Sequence, residues 1–213
     1  MRKGLSVLIL SIVTLGLAGC SQAKTPDISS VSIEKDGTVS HQIVGQFEQN
    51  YYEMDGLSAL AAQRVEEYCA GHGDGSVELQ SVESEDGKIL IDLKYASPED
   101  YSSFNNRELY VGTLEDAASQ GYVLEKVAFV SAKGEPMELG YIDDPESKKI
   151  MIAASKPGEE MIVNTYGKAL YINQSAGSGM EVSFAGKKSV RIAYPAAEDG
   201  TVSAETLSYV IFE

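Results

Sequence analysis

Three residues of metal-binding types lie close together in the chain. Cys69, His72 and Asp74 form the pattern Cys-x2-His-x-Asp, and such side chains bind zinc or copper where they converge. A structural zinc site needs a fourth ligand, and the second histidine, His41, falls in a distant strand pattern. The glycines on both sides of His72 are typical of a helix end, whose negative dipole attracts a histidine. We therefore expect a helix end here, with a metal site as the alternative.

Acidic side chains suggest calcium as a second cation. Asp143, Asp144 and Glu146 lie in one predicted loop, and calcium prefers oxygen ligands such as carboxylates. Their spacing does not match the regular calcium-binding loop, and acidic turns are also common in solvated hairpins. We expect no cofactor, with calcium as the alternative.

The sequence contains no complete set of groups for covalent catalysis. A serine or cysteine nucleophile needs a neighbouring base, and the two histidines fall in a strand and at a helix end. Ser178 lies between two glycines but lacks the G-x-S-x-G pattern. Two carboxylates could hydrolyse a glycosidic bond, yet among 32 acidic residues no pair stands out. We name no catalytic residue and favour binding over catalysis.

Aromatic and amide side chains at two predicted connections form a candidate binding rim. The candidate rim residues are Tyr51, Tyr52, Tyr101, Phe104, Asn105 and Asn106. The alternative is that they anchor loops by packing onto a sheet edge. His41 lies on the apolar face of its strand pattern, so we expect a packed and hydrogen-bonded core residue there.

Helices and strands must position these residues. Helical spacing of apolar residues and helix-capping signals predict one amphipathic helix and two short ones. The predicted helices cover about 56–70, 98–104 and 114–120. Their caps would be Asp55, Ser97 before a proline, and Thr113 in a sequence that resembles a capping box.

Alternating apolar residues predict antiparallel strands over most of the remaining chain. The clearest hairpin turns at Asp36-Gly37, and from Val123 onward the pattern is nearly all strand, beginning with Val123–Val130. The expected class is α+β, dominated by antiparallel strands. Residues 28–213 would form a single domain, and any subdivision would fall near 133–147, where the strand pattern is weakest.

The first twenty residues carry the clearest indication of function. Arg2 and Lys3 precede an apolar run from Leu5 to Leu17, which is typical of a secretory signal and short for a membrane-spanning helix. The run ends in Leu17, Ala18, Gly19 and Cys20. This ending resembles the lipobox of bacterial lipoprotein precursors.

That resemblance implies cleavage between Gly19 and Cys20 and a diacylglyceryl group on the Cys20 thiol. Residues 1–19 would be the signal peptide, and 20–27 the lipidated cysteine and a tether. Two or three acyl chains such as palmitate anchor a protein stably, so the expected location is the outer face of the cell membrane. Acylation of the Cys20 amine stays open, and the alternatives are an ordinary secretory signal or an uncleaved anchor.

The domain that follows the cleavage point is strongly acidic. Of 17 basic residues two lie in the signal, and none of the 32 acidic ones does, so its formal charge is 15 minus 32, or −17. Such a surface repels phosphate backbones. We expect no nucleic-acid partner, membrane contact through the lipid, and an envelope or protein partner that the sequence does not identify.

Several short stretches of the mature chain follow one another in a fixed order: the Asp36-Gly37 turn, Tyr51-Tyr52, the stretch from Tyr101 to Asn106, the stretch from Tyr110 to Thr113, and Gly121-Tyr122. In this order the mature chain resembles small lipoproteins of gut Clostridia that have no assigned activity. It implies a location and no mechanism. We expect a membrane-anchored extracytoplasmic binding or interaction module, with a cell-envelope hydrolase that uses paired carboxylates as the alternative.

Overall fold

The computed structural model describes residues 26–46, 53–174, 179–196 and 205–213. These residues form thirteen strands and three α-helices, so the predicted α+β class with mainly antiparallel strands is confirmed. Gly19, Cys20, Tyr51, Tyr52 and Ser178 lie outside the described residues.

All three predicted helices are present. They are α1 (Met54–His72), α2 (Pro98–Asn105) and α3 (Leu114–Ser119). Three 3-10 turns cover Leu124–Lys126, Leu139–Tyr141 and Pro145–Ser147. In chain order the strands are β1 (Ser29–Ile33), β2 (Val39–Gln46), β3 (Val77–Glu85), β4 (Lys88–Tyr95), β5 (Leu109–Thr113), β6 (Phe129–Ser131), β7 (Pro136–Met137), β8 (Lys149–Ser155), β9 (Glu159–Asn164), β10 (Ala169–Asn173), β11 (Glu181–Phe184), β12 (Ser189–Tyr194) and β13 (Thr206–Phe212).

The strands form two sheets. The first sheet has the order β11-β12-β9-β1-β2-β4-β3, and the second has the order β5-β8-β13-β10-β6-β7. Neighbouring strands are antiparallel except β1 and β9, which run parallel with Val31 opposite Val163. β13 pairs with both β8 and β10, so the last strand of the chain holds the second sheet together.

The inner faces of the two sheets share one hydrophobic core, which we term the central core. Val39 and Tyr95 from the first sheet are fully buried in it, as are Met151, Val210 and Phe212 from the second. Side chains alternate between the two faces of a strand, so the residues directly before and after each of these in its strand point to the outer face. α1 covers β3 at the edge of the first sheet through Val65, Tyr68 and Cys69.

The outer face of the second sheet carries a second core. Ile150, Ile152 and Ile211 are fully buried there. They are covered by side chains from α3 and the segment that follows it, namely Ala117, Leu124, Phe129 and Ile142. The stretch 133–147 belongs to this cover: it contains β7 and two of the 3-10 turns, and its Ile142 is 6% exposed.

The outer face of the first sheet is mostly polar. Asp92 accepts hydrogen bonds from Gln42 Nε2 at 3.0 Å and from Ser81 Oγ at 2.8 Å. Further along, Asn164 donates to Ser32 Oγ at 3.1 Å and accepts from Ser189 Oγ at 2.7 Å. These side chains pair across neighbouring strands and stay partly exposed.

Two local predictions are wrong. The strand expected over Val123–Val130 contains a 3-10 turn at Leu124–Lys126, and β6 begins only at Phe129. Leu124 and Val127 both pack into the second core, a spacing of three that suits a tight helical turn. Asp55 is not the cap of α1: Glu53 occupies that position without a side-chain bond, and Asp55 lies in the first turn, where its charge favours the helix dipole.

Candidate binding cleft

A cleft of about 370 Å³ opens between the inner face of the first sheet and α2. Its polar lining residues come from separate elements: His41 from β2, Asn105 from α2, Arg107 from the loop after α2, and Glu159 from the start of β9. We call this site the inner cleft.

α2 and the loop that follows it are fixed by local hydrogen bonds. Ser97 caps α2 by accepting from the Asp100 amide at 3.1 Å, as predicted, with Pro98 in the first turn. Asn106 ends the helix with φ 48° and ψ 52°, a left-handed conformation that asparagine tolerates better than most residues. The hydroxyl of Ser102 then bonds both the amide and the carbonyl of Leu109. The side chain of Arg107 is held at the cleft by this closed loop.

Arg107 and Glu159 form an ion pair in the wall of the inner cleft. Arg107 Nη2 donates to Glu159 Oε1, and the two side chains are 18% and 30% exposed. Glu159 Oε2 accepts from the backbone amide of Lys156 at 2.8 Å. Tyr101 lines the cleft together with this pair. Both charges are therefore held in place and largely shielded from water.

His41 packs against aromatic rings beside this ion pair. Its ring centroid lies 5.3 Å from that of Tyr101 in an edge-to-face arrangement and 6.4 Å from that of Tyr95. Burial, together with the positive charge of Arg107, lowers the pKa of His41 to about 4, so the imidazole is neutral at pH 7. Its Nδ1 atom is buried without a hydrogen-bond partner. The expectation of a packed residue is met, whereas the expectation of a hydrogen-bonded one is wrong for this atom.

Asn105 completes the polar lining. Its Nδ2 atom donates to the Tyr95 hydroxyl at 3.1 Å and to the Tyr101 carbonyl at 2.8 Å. Both amide hydrogens are thus used, and the group that remains for a ligand is the side-chain carbonyl oxygen. Burial raises the pKa of Tyr101 to about 12, so its hydroxyl keeps its proton at neutral pH.

The structure separates the predicted rim residues. Tyr101 is 2% exposed and Phe104 9%. Phe104 packs in the central core with its ring 5.4 Å from Tyr68 and 5.7 Å from Tyr95. These two side chains therefore cannot form an exposed rim, because packing against α1 and β4 buries them. Asn105 lines the inner cleft, and Asn106 is exposed at the end of α2.

Comparison of the chain with protein-family models, with curated proteins and with solved structures finds no match. In the described part of the chain, no helix is both long and apolar enough to cross a membrane.

The candidate cation ligands either contact other groups or are exposed. Cys69 Sγ donates to the carbonyl of Val77 at 3.3 Å, and the His72 ring stacks on Tyr68 at 3.9 Å at the end of α1. Asp74 is exposed, as are Asp143, Asp144 and Glu146 in the loop before β8. Across the four described ranges, no three His, Cys, Asp or Glu side chains are grouped to hold a metal ion.

Two acidic residues line the inner cleft without facing each other. Glu159 and Glu160 are consecutive in β9, and consecutive strand residues point to opposite faces of a sheet. Glu159 pairs with Arg107, whereas Glu160 accepts from Arg191 Nε at 2.6 Å. Glycoside hydrolysis needs two carboxyl groups that flank one bond, and these two do not.

Sequence patterns alone miss Arg107 and Glu159, which are separated by 51 intervening residues. Neither residue belongs to a local motif. The one available signal is His41, a polar side chain on an otherwise apolar strand face. Two larger hollows, of about 840 and 690 Å³, lie over the second core. Their linings come largely from the 3-10 turns, and we consider the inner cleft the better site because charged and polar groups converge there.

Proposed function

We propose that this protein is a lipid-anchored extracytoplasmic binding module, and that the inner cleft is its ligand site. The anchor is inferred from the sequence Leu17-Ala18-Gly19-Cys20 after the apolar run. The observation that carries the binding role is the shielded Arg107–Glu159 pair beside the unpartnered Nδ1 of His41. Convergent polar groups in a concave site are typical of small-molecule binding.

The path of the chain supports a cleft close to the membrane. Lys88 Nζ bonds the carbonyl of Pro26 at 3.3 Å and forms an ion pair with Asp27. Ser29, two residues later, lines the inner cleft. Seven tether residues, Ser21 to Asp27, reach at most about 25 Å. A lipid on Cys20 would then keep the inner cleft within a few nanometres of the bilayer surface.

The ion pairs favour binding over hydrolysis. Hydrolysis of a glycosidic bond needs two carboxyl groups that flank that bond, whereas both oxygens of Glu159 are already engaged, by Arg107 and by the Lys156 amide. Glu160 is likewise bound to Arg191 on the other face of β9. The two carboxyl groups therefore do not flank a common bond, and this arrangement favours holding a ligand over hydrolysing it.

Metabolic labelling with radioactive palmitate tests the anchor. We expect label in the wild-type protein and in a Cys69→Ala variant, and none in Cys20→Ala. Cys69 lies near the end of α1, and its thiol donates to the carbonyl of Val77 in β3. Detergent partitioning should follow the label. Retention of label by Cys20→Ala, or its absence from the wild type, would contradict the anchor.

Capture of a small molecule from a cell-envelope extract tests the binding role. The full-length protein in detergent micelles is incubated with the extract, washed and analysed by mass spectrometry. We expect at least one molecule to be retained by the wild type and by the outer-face variant Arg191→Gln, and to be lost from Arg107→Gln. If the wild type retains nothing, or if Arg107→Gln retains the same molecules, the inner cleft is not the ligand site.

A further inference from the structure

The charges in the wall of the inner cleft are balanced and largely shielded. An anion drawn to Arg107 would compete with Glu159 and leave that carboxylate without its partner. A cation drawn to Glu159 would do the same to Arg107. Because an unpaired and shielded charge is costly, ligands with a single charge bind at a penalty. A ligand that carries both charges can engage both partners without that penalty.

Both partners keep hydrogen-bonding capacity for such a ligand. Arg107 has five N–H donors, and its bond to Glu159 uses one of them. A guanidinium binds carboxylates well because its donors form a planar fork. Glu159 accepts one bond on each oxygen, from Arg107 and from Lys156, and each carboxylate oxygen can accept a second. An ammonium group can therefore bind Glu159 without displacing Arg107.

Two neutral groups lie beside these charges. His41 Nδ1 is buried without a partner, and Asn105, whose two amide hydrogens are both used, lines the same cleft. The His41 ring lines the cleft and is neutral at pH 7, so it adds no third charge beside the ion pair. The volume of about 370 Å³ lies at the small end of the range for ligand pockets.

We propose that the inner cleft binds a small zwitterion of the amino-acid class, with its carboxylate on Arg107 and its ammonium on Glu159. This inference rests on the proposed function and names the chemistry of the ligand at the same site. The acidic surface of the domain agrees with it, since a formal charge of −17 after cleavage disfavours ligands that are simply anionic.

Isothermal titration calorimetry tests the ligand class on the full-length protein in detergent micelles. The probes are the twenty common L-amino acids and D-alanine, followed by the N-acetyl and the carboxamide derivatives of the tightest binder. We expect measurable binding of at least one amino acid at millimolar concentration or below. Each derivative removes one charge, so each should bind at least about tenfold more weakly.

Three variants locate the binding. Arg107→Gln and Glu159→Gln should weaken the tightest amino acid at least about tenfold. Arg191→Gln removes a comparable ion pair on the outer face and should leave its Kd unchanged. Near-ultraviolet circular dichroism shows whether each variant is folded, and the charge-deleted derivatives test the proposal on the wild type without any substitution.

Three outcomes overturn the proposal: no amino acid binds, a derivative binds as tightly as its parent, or Arg191→Gln weakens binding as much as Arg107→Gln. The anchor and the binding role have their own readouts. If the envelope extract yields a molecule without both charges that depends on Arg107, the binding role stands and the ligand class is wrong. If palmitate label is absent while an amino acid binds, the ligand class stands and the anchor is wrong.

Discussion

The outer faces of the two sheets occupy equivalent positions in the fold but differ in polarity and burial. On the second sheet, Ile150, Ile152 and Ile211 are fully buried under α3 and the turns that follow it. On the first sheet, Gln42 donates to Asp92 and Asn164 accepts from Ser189, and these side chains remain partly exposed. An antiparallel sheet can leave one face in water when that face is polar. α3 and the turns that follow it therefore cover the sheet whose strands carry apolar residues on both faces.

The inner cleft differs from both outer faces. It lies on the inner face of the first sheet, where α2 and the Arg107 loop replace the second sheet as the packing partner. There a buried neighbourhood contains charged groups that are paired with each other. Exposure alone therefore does not mark the candidate site. Polar side chains on the outer face hydrogen-bond across neighbouring strands, whereas His41 Nδ1 at the inner cleft has no hydrogen-bond partner.

The largest effect should come from opening the second core. Ile152→Ala removes a fully buried side chain, and such substitutions lower the free energy of unfolding by about 2–5 kcal/mol. Ser40→Ala, on the outer face of the first sheet, should change it by less than about 0.5 kcal/mol. Urea denaturation of both variants measures the contrast. Equal losses would show that the outer faces do not differ in their contribution to stability.

The next effect concerns the pH dependence of His41. Its pKa of about 4 in the folded protein lies below the ordinary value of 6.5, so the unfolded chain takes up the proton first as the pH falls. The stability that this difference provides is complete above pH 6.5 and is lost between pH 6.5 and about 4. Its size is about 3 kcal/mol. Urea unfolding of the wild type at several pH values measures this loss.

Two histidine variants isolate that effect. His41→Phe keeps an aromatic ring between Tyr95 and Tyr101 and removes the titrating group, so stability should fall less between pH 7 and pH 4.5 than in the wild type. His72→Gln, at the exposed end of α1, is the matched histidine replacement for comparison. A wild-type slope in His41→Phe would show that other groups are responsible.

A smaller effect distinguishes the ion pairs on the two faces of the first sheet. Arg107 and Glu159 are 18% and 30% exposed, whereas Arg191 and Glu160 are both 39% exposed. Glu159→Gln should lower the free energy of unfolding by about 1–2 kcal/mol, and Arg191→Gln should lower it less, because water screens the more exposed pair. Addition of salt should reduce the loss caused by Arg191→Gln more than the loss caused by Glu159→Gln. Losses of the same size would mean that shielding does not strengthen the inner pair.

The class of fold could be predicted from local patterns, and the cleft could not. The hairpin at Asp36-Gly37 and the caps at Ser97 and Thr113 depend on residues within a few positions of each other, so the sequence carries their signal directly. The Leu124 turn has the sequence pattern of a strand, because burial of Leu124 and Val127 produces an apolar run that fits either structure. Arg107 and Glu159 meet only through tertiary packing, and no local spacing indicates it.

The smallest effect compares the two short helices, which have the same kind of cap on different sides of the molecule. Ser97 accepts from the Asp100 amide at 3.1 Å and Thr113 from the Asp116 amide at 3.0 Å. Replacement of either by alanine should cost about 1 kcal/mol of unfolding free energy. The local consequences should differ, because α2 carries Tyr101 and Asn105 to the inner cleft whereas α3 covers the second core.

The imidazole signals of His41 in the nuclear magnetic resonance spectrum provide the readout for this last comparison. Ser97→Ala loosens the start of α2, so the His41 signals should shift with the Tyr101 ring that packs against it at 5.3 Å. Thr113→Ala should leave them in place at an equal loss of stability. A shift of the same size in both variants would mean that the second core and the inner cleft respond as one unit, and the difference between the two regions would then be one of chemistry alone.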